Sequence, residues 1–186
     1  MKIKVIASIL NPNSEVDDII AKSVGTDYHD FRTRWKKVSN HEIILDFPPH
    51  LDIELNSTCN YHCAFCTPHL RNVGQDIEYM DIALFQKIVN SGAKNGARSV
   101  TLNWINEPLL RKDIANFIAY ARERGILDVM FNSNGELLNK KIAKELILSG
   151  LTKMSVSLDA FSEESHKKHR PGGNFKVVID NIDKFL

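Results

Sequence analysis

At 186 residues, with 43% hydrophobic and 25% charged side chains, the chain is proportioned for one domain with a sizeable core, which excludes a disordered or fibrous polymer. Its 24 Lys and Arg against 23 Asp and Glu leave a formal charge of +1, so no overall field draws it to nucleic acid or to an anionic membrane. The opening stretch from Met1 to Leu10 is too short and too interrupted for a signal peptide. No run approaches the roughly 18 apolar residues that span a bilayer, and a cytoplasmic protein with no membrane partner is expected.

In chain order, residues 2–10 read as a strand, Asn11-Pro-Asn-Ser14 as a turn and residues 28–39 as a basic helix, after which Phe47-Pro-Pro49 forces extended backbone. Residues 1–47 are taken as an N-terminal extension and 48–186 as the core. Within the core, Leu51, Ile53 and Leu55 alternate with Asp52, Glu54 and Asn56, the period-two pattern of a strand. A long loop carrying the cysteines follows, then a helix with the apolar stripe Ile82, Phe85, Ile88 and Val89. Val100, Leu102 and Trp104, alternating with Ser99, Thr101 and Asn103, make a second strand ahead of a helix marked by Ile114, Phe117, Ile118 and Ala121. Residues 127–132 form a third strand, and Leu138, Ile142 and Leu146 mark a helix closed by Gly150. Met154, Val156 and Leu158 alternate with Ser155, Ser157 and Asp159 in a fourth strand, and Phe175, Val178, Ile179, Ile182 and Phe185 give a last helical stripe.

After the longer first unit, this spacing is that of repeated βα units building a parallel sheet. Parallel strands covered on both faces read as continuous apolar runs, whereas these carry a polar residue at every second position toward their C-terminal ends. The expected fold is therefore α/β: a partial (β/α) barrel, incomplete, of about four βα units with an N-terminal extension. Glu54, Asn56, Asn103, Asn132, Ser157 and Asp159 would face a wet interior near the C-terminal rim, where such barrels place their sites. The alternative is a one-sided sheet with its polar face in water.

All three cysteines fall within eight positions, Cys59-Asn-Tyr-His-Cys63-Ala-Phe-Cys66, directly after the first strand. An odd, closely spaced set without a distant partner argues against a disulfide framework and for ligation in a reducing compartment. Three thiolates on one loop make a soft-ligand site that can hold three corners of an iron–sulfur cube, whose fourth iron would then be free to bind something else. The competing reading is a zinc knot completed by His62 or His69, although structural zinc usually draws ligand pairs from two separated loops. His50, His62, His69, His166 and His169 are expected to be exposed or loop residues, since none pairs with a second His at i,i+4 on a clear helix face.

The C-x3-C-x2-C spacing, with the aromatic Phe65 just before the last cysteine, resembles the radical S-adenosylmethionine enzymes over about residues 46–186. The resemblance implies that Cys59, Cys63 and Cys66 ligate a [4Fe-4S] cluster, that the open iron chelates the amino and carboxylate groups of S-adenosylmethionine, and that Phe65 lies against the adenine. Leu102-Asn-Trp-Ile-Asn-Glu-Pro-Leu-Leu110 resembles the family's Gly-Gly-Glu-Pro turn, with Glu107 as the acid that receives the amino group. Ile105 and Asn106 stand where the family has glycines, a departure that matters because glycine permits positive φ and close backbone approach to a ligand; the important loss is at Asn106, since Asn tolerates such geometry better than Ile. Without the family, Glu107 reads as a helix-entry acid.

Asn132-Ser-Asn-Gly135 resembles the family's Thr-Asn-Gly turn and is read as structural. Val156-Ser-Leu-Asp-Ala160, followed by His166 and Arg170-Pro-Gly-Gly173, resembles the Ser-Leu-Asp-Gly…Arg pattern of the branch with cysteine-rich, SPASM-type C-terminal modules. By that match Ser157 hydrogen-bonds the cofactor and Arg170 pairs with its carboxylate; the alternative for Arg170 is a solvated loop charge.

The activity implied is reductive cleavage of S-adenosylmethionine to a 5′-deoxyadenosyl radical that abstracts hydrogen, with flavodoxin or ferredoxin as electron donor. The branch points to peptide or protein modification, with sugars and other small molecules open. Family barrels have six units where four read here. The alternative function is a truncated, catalytically silent iron–sulfur-binding fragment, or a subunit completed by another chain.

Overall fold

A computed structural model describes residues 14–63, 65–66 and 77–185. The strand expected over residues 2–10, and His69, lie outside the described residues. Two helices come first, α1 (Ser14–Val24) and α2 (Asp27–Ser39), and four βα units follow. The units are β1 (His50–Asp52) with α3 (Ile82–Lys94), β2 (Ser99–Thr101) with α4 (Ile114–Glu123), β3 (Asp128–Ser133) with α5 (Lys140–Leu148), and β4 (Lys153–Val156) with α6 (Glu163–His169) and α7 (Phe175–Phe185).

The strands lie in the order β1-β2-β3-β4, every neighbouring pair parallel. Leu51 is level with Val100, Val100 with Val129, and Phe131 with Met154. The strands match the expected segments in position; β1, β2 and β4 are shorter, because the ladder stops where the chain turns into the site loops, and β3 keeps six residues. Ile53, Leu55, Val100, Leu102, Val129 and Phe131 share one core with Phe85 and Val89 of α3, Phe117, Ile118 and Ala121 of α4, and Ala143 and Leu146 of α5. Caps fix where these helices begin: the Asp81 carboxylate accepts the Ala83 N–H at 2.6 Å, and Asn139 accepts from Lys141 and Ile142.

Two of the polar positions expected to face a wet interior, Asn56 and Asn103, are instead buried, as are Ser99 and Thr101 earlier in the second strand, and their polar groups find partners inside the protein. Ser99 Oγ and Thr101 Oγ1 lie 2.8 and 3.1 Å from the two ring nitrogens of His50, and Asn103 Oδ1 accepts the Asn132 N–H at 2.8 Å. Trp35 of α2 packs edge-on against His50 at 5.1 Å, which covers the N-terminal ends of the strands. The open part of the polar face is left to Glu54, Asn132, Ser157 and Asp159, near the C-terminal ends.

Helix α1 begins at Ser14, the last residue of the expected turn, whose residues 11–13 lie outside the described ones, and buries Ile20 and Ala21 against Tyr28 and Phe31 of α2 and Leu127 before β3. Asp17 joins the two helices, accepting from Tyr28 Oη at 3.3 Å and from Arg32 Nε at 3.1 Å. The extension thus packs on the underside of the sheet. A cavity of about 570 Å³ follows the seam, lined by Phe31, Arg34, Pro49, Arg98 and Leu127 among others. Arg98 is engaged there by the carbonyls of Ala93 and Ala97. Among the described residues, no helix is long and apolar enough to cross a membrane.

Candidate functional site

The cysteine loop leaves β1 through a narrow neck. Asn56 bridges to Tyr79, Met80 N–H donates to the Leu55 carbonyl at 3.0 Å, and Ser57 and Glu78 exchange two further bonds. Beyond the neck, Cys59 and Cys66 are half-buried and Cys63 is buried. Tyr61 N–H points at Cys59 Sγ at 3.5 Å, and Cys66 N–H donates to the Cys63 carbonyl at 3.1 Å.

The connection between α6 and α7 seats this loop. His62 N–H donates to the Pro171 carbonyl at 2.8 Å, and the buried Tyr61 ring lies over Gly173, where a Cβ would stand 2.6 Å from Tyr61 Cε2 and 2.7 Å from His166 Cε1. His166 meets Tyr61 edge-on at 6.1 Å and Phe175 at 5.6 Å. It is 1% exposed, within α6, which corrects the expectation of an exposed or loop histidine. The aromatic rings of Tyr61 and Phe175 enclose it, which spacing along a single helix cannot reveal. Arg170, 7% exposed, is no solvated charge either. It pairs with Asp159, its Nη1 stands 3.7 Å from Cys63 Sγ, and its guanidinium carbon lies 5.3 Å from the Phe65 ring centre. Asp159 is held at φ +50°, a conformation that Asp tolerates better than most residues.

Glu107 is 2% exposed and surrounded by donors. Its Oε1 accepts from Leu109 N–H at 3.0 Å and Ser133 Oγ at 2.9 Å, and its Oε2 from Asn134 N–H at 2.8 Å. The bond to Leu109 caps a single 3-10 turn, Pro108–Leu110, so the helix-entry role exists as well. A carboxylate offers about four acceptor directions, and three are filled by these bonds; the fourth lies on Oε2. Glu107 N–H reaches the Thr58 carbonyl at 2.9 Å, which places the acid next to Cys59.

Asn106 takes its place in the turn without positive φ. Among described non-glycine residues, positive φ occurs at His41 and Asp159 only. The Glu54 carboxylate accepts the N–H groups of both Ile105 and Asn106, at 3.0 and 3.1 Å, and the Asn106 amide bonds Asn56 and the Trp104 N–H. The turn is held by polar neighbours where glycine would have relied on its own freedom. Ser157 is half-buried and extends the β4 pairing, its N–H donating to the Ser133 carbonyl at 2.8 Å. Phe65 is 61% exposed at the rim.

Burial dominates the electrostatics. It pushes the Cys59 thiol up to about 11, with the negative charges of Glu107, Cys63 and Cys66 adding to it. Burial also raises Cys63, against the pull of Arg170, and raises Glu107, against its three hydrogen bonds. Loading a metal group here therefore displaces protons from sulfur. Among the described residues no three His, Cys, Asp or Glu side chains converge as the ligands of one ion would. The donor set fits a cluster, which places each thiolate on a different iron: three mutually interacting thiols share one loop, and N–H groups aim at two of the sulfurs.

The structure thus brings Cys59, Cys63, Cys66, Phe65, Glu107 and Arg170 to one end of the sheet, with Ser157 at its edge. Sequence reasoning gave no supporting role at the site to the residues that hold them: Asn56, Ser133, Asn134, Tyr61, His166 and Gly173. Their signal was present as Asn-bearing turns at the ends of the first three strands, and as Ser162 with two following glutamates at the start of α6.

A model of the radical SAM superfamily matches residues 53–186. A probable GTP 3′,8-cyclase of Methanococcus maripaludis is 34% identical over 72% of this chain and 44% of its own length. A GTP 3′,8-cyclase of Thermodesulfovibrio yellowstonii is 35% identical over 73% and 42%. The chain thus spans less than half the length of these relatives. Among solved structures, Streptococcus suis SuiB bound to S-adenosylmethionine superposes with a TM-score of 0.64 at 23% identity, over 85% of this chain and 36% of that one. The same protein bound to its precursor peptide SuiA gives 0.64 at 20% identity, over 100% and 38%.

Proposed function

Because the chain belongs to the radical SAM superfamily, whose cofactors are a [4Fe-4S] cluster and S-adenosylmethionine, we propose that its C-terminal-end site binds both and initiates hydrogen abstraction from a substrate. The observation that carries the reading is the seating of the three-cysteine loop beside the buried Glu107 carboxylate. When bound, the two cofactors supply a reductive cleavage to methionine and a 5′-deoxyadenosyl radical. Residues 48–186 are the cofactor-binding core on this reading, and residues 1–47 an extension to it.

Each residue then has a task. Cys59, Cys63 and Cys66 hold the cluster; Glu107 receives the cofactor's amino group at the acceptor direction left on Oε2; Arg170 pairs with its carboxylate; Phe65 covers the adenine; Ser157 donates or accepts at the rim. Asn106 shapes the turn that aims Glu107. The core excludes water and positions the reacting groups. A reducing cytoplasm and a flavodoxin or ferredoxin donor suit this chemistry. For substrate, the GTP 3′,8-cyclase relatives support a purine nucleotide beside the peptide or small-molecule classes. A second reading, cluster binding without cleavage or completion by another chain, is favoured by the open edge of β4.

Anaerobic reconstitution with iron and sulfide should give a brown protein with about four irons and four sulfides, lost when any one cysteine becomes Ala. Stoichiometric zinc in a colourless protein would replace this reading with the zinc knot. Glu107→Gln should keep the cluster and weaken S-adenosylmethionine binding by about 1.5–3 kcal/mol, the worth of a charge-assisted hydrogen bond. Methionine and 5′-deoxyadenosine formed under reductant separate the enzyme from the silent cluster protein.

A further inference from the structure

We propose that Arg111 is a positioning residue that fixes the cysteine loop relative to Glu107. The inference rests on the cofactor reading above. Arg111 is 7% exposed. Its Nη1 donates to the Leu55 carbonyl at 2.9 Å and to the Met80 carbonyl at 2.7 Å. Those two residues bracket the segment that carries all three cysteines, so one nitrogen joins both sides of the loop's neck.

The guanidinium plane is itself fixed. Asp113 takes Nε at 2.9 Å and Nη2 at 3.3 Å, and the Phe117 ring lies beneath the guanidinium at 3.9 Å, with Tyr79 at 5.8 Å. Arg111 N–H closes the 3-10 turn by donating to the Pro108 carbonyl at 3.0 Å, and Glu107 caps the same turn. A single planar group is thereby tied to both strands of the neck and, through one rigid turn, to the proposed amino-group acceptor. A lysine cannot repeat this arrangement: its ammonium is a point charge without a fork to span two carbonyls and a carboxylate, or a plane to stack. Loss of the group would also take the Arg111 donor from the partly buried Met80 carbonyl and leave the Leu55 carbonyl with the Met80 N–H alone. The cysteines would still bind iron, since they share one loop, but the cluster would no longer stand at a fixed place relative to Glu107.

The test uses the 186-residue chain, reconstituted anaerobically as wild type, Arg111→Met, Arg111→Lys and Asp113→Asn. Iron content, melting temperature and the spin-resonance spectrum of the reduced cluster are read without and with S-adenosylmethionine. Arg111→Met should load iron as the wild type does, yet bind S-adenosylmethionine about tenfold or more weakly, as for other outer-sphere partners of metal sites, and give a broadened, multi-species signal. Arg111→Lys should restore little of either property. Asp113→Asn, which keeps the guanidinium but loosens its plane, should shift both in the same direction; it carries the test if the Met variant does not fold. Variants that titrate and resonate as the wild type does overturn the role of Arg111 alone. A wild type that takes up no iron overturns this inference together with the functional reading.

Discussion

His166 shows how much one residue's surroundings decide. Its ring is enclosed by Tyr61, Phe175 and the backbone of Gly173, and Arg170 begins the next turn. Burial first, and then the Arg170 charge, hold its pKa below the ordinary value, with Glu136 pulling the other way. The folded state therefore resists a proton that the unfolded chain accepts near pH 6.5. For a depressed histidine the sign is fixed: its contribution is fully present above about pH 6.5 and is lost as pH falls from there through the folded-state value. Melting temperature should decline over that window, and His166→Gln should flatten the decline. A variant that keeps the full wild-type slope would assign the acid sensitivity to other groups.

The element that organises the site is the α6–α7 connection, since it forms the seat of the cysteine loop. Gly173 matters there for space: a Cβ would enter the Tyr61 and His166 rings, and neither has room to withdraw because both are buried. Gly173→Ala should cost about 1–3 kcal/mol by overpacking, read as a lowered urea midpoint at unchanged slope. A midpoint equal to the wild type would mean that the Tyr61 seat yields freely. Gly135 contributes in another way, holding φ +80° in the turn that presents Asn134 to Glu107, with Val156 close by. These two loops reach the cysteine loop and Glu107 from the third and fourth units, so the candidate site needs all four.

At the scale of the whole molecule, the sheet has β1 and β4 at its edges. Strand β4 presents Lys153–Val156 with every residue at least partly accessible, and unpaired strand edges template association. Light scattering should therefore rise with protein concentration, and Ser155→Lys, a charge on the exposed position of the edge, should suppress the rise. A wild type that stays monomeric at high concentration would show that the edge is already protected. The N-terminal helix pair covers the N-terminal ends of the strands: Tyr28 and Phe31 close over Leu127, and Trp35 over His50.

The strands, helices α3, α4, α5 and α7 and the cysteine loop were legible because each is a local pattern: alternation sets a strand face, a stripe sets a helix face, and the spacing of Cys59, Cys63 and Cys66 confines three thiols to one loop, whereas α6 has no apolar stripe to announce it. Glu107 was legible through its turn, as was Arg170 through the loop that carries it. What the sequence left open was the identity of each polar residue's partner, since those partners lie far away along the chain. Ser99 and Thr101 are dry because His50 fills their hydrogen bonds, Asn106 sits in a turn without positive φ that Glu54 and Asn56 hold, and Arg111 meets its acceptors only when Leu55 and Met80 are brought beside it. Periodicity records which face of an element is apolar; only the packed sheet, by closing distances between residues some fifty positions apart, decides which buried donors and acceptors meet.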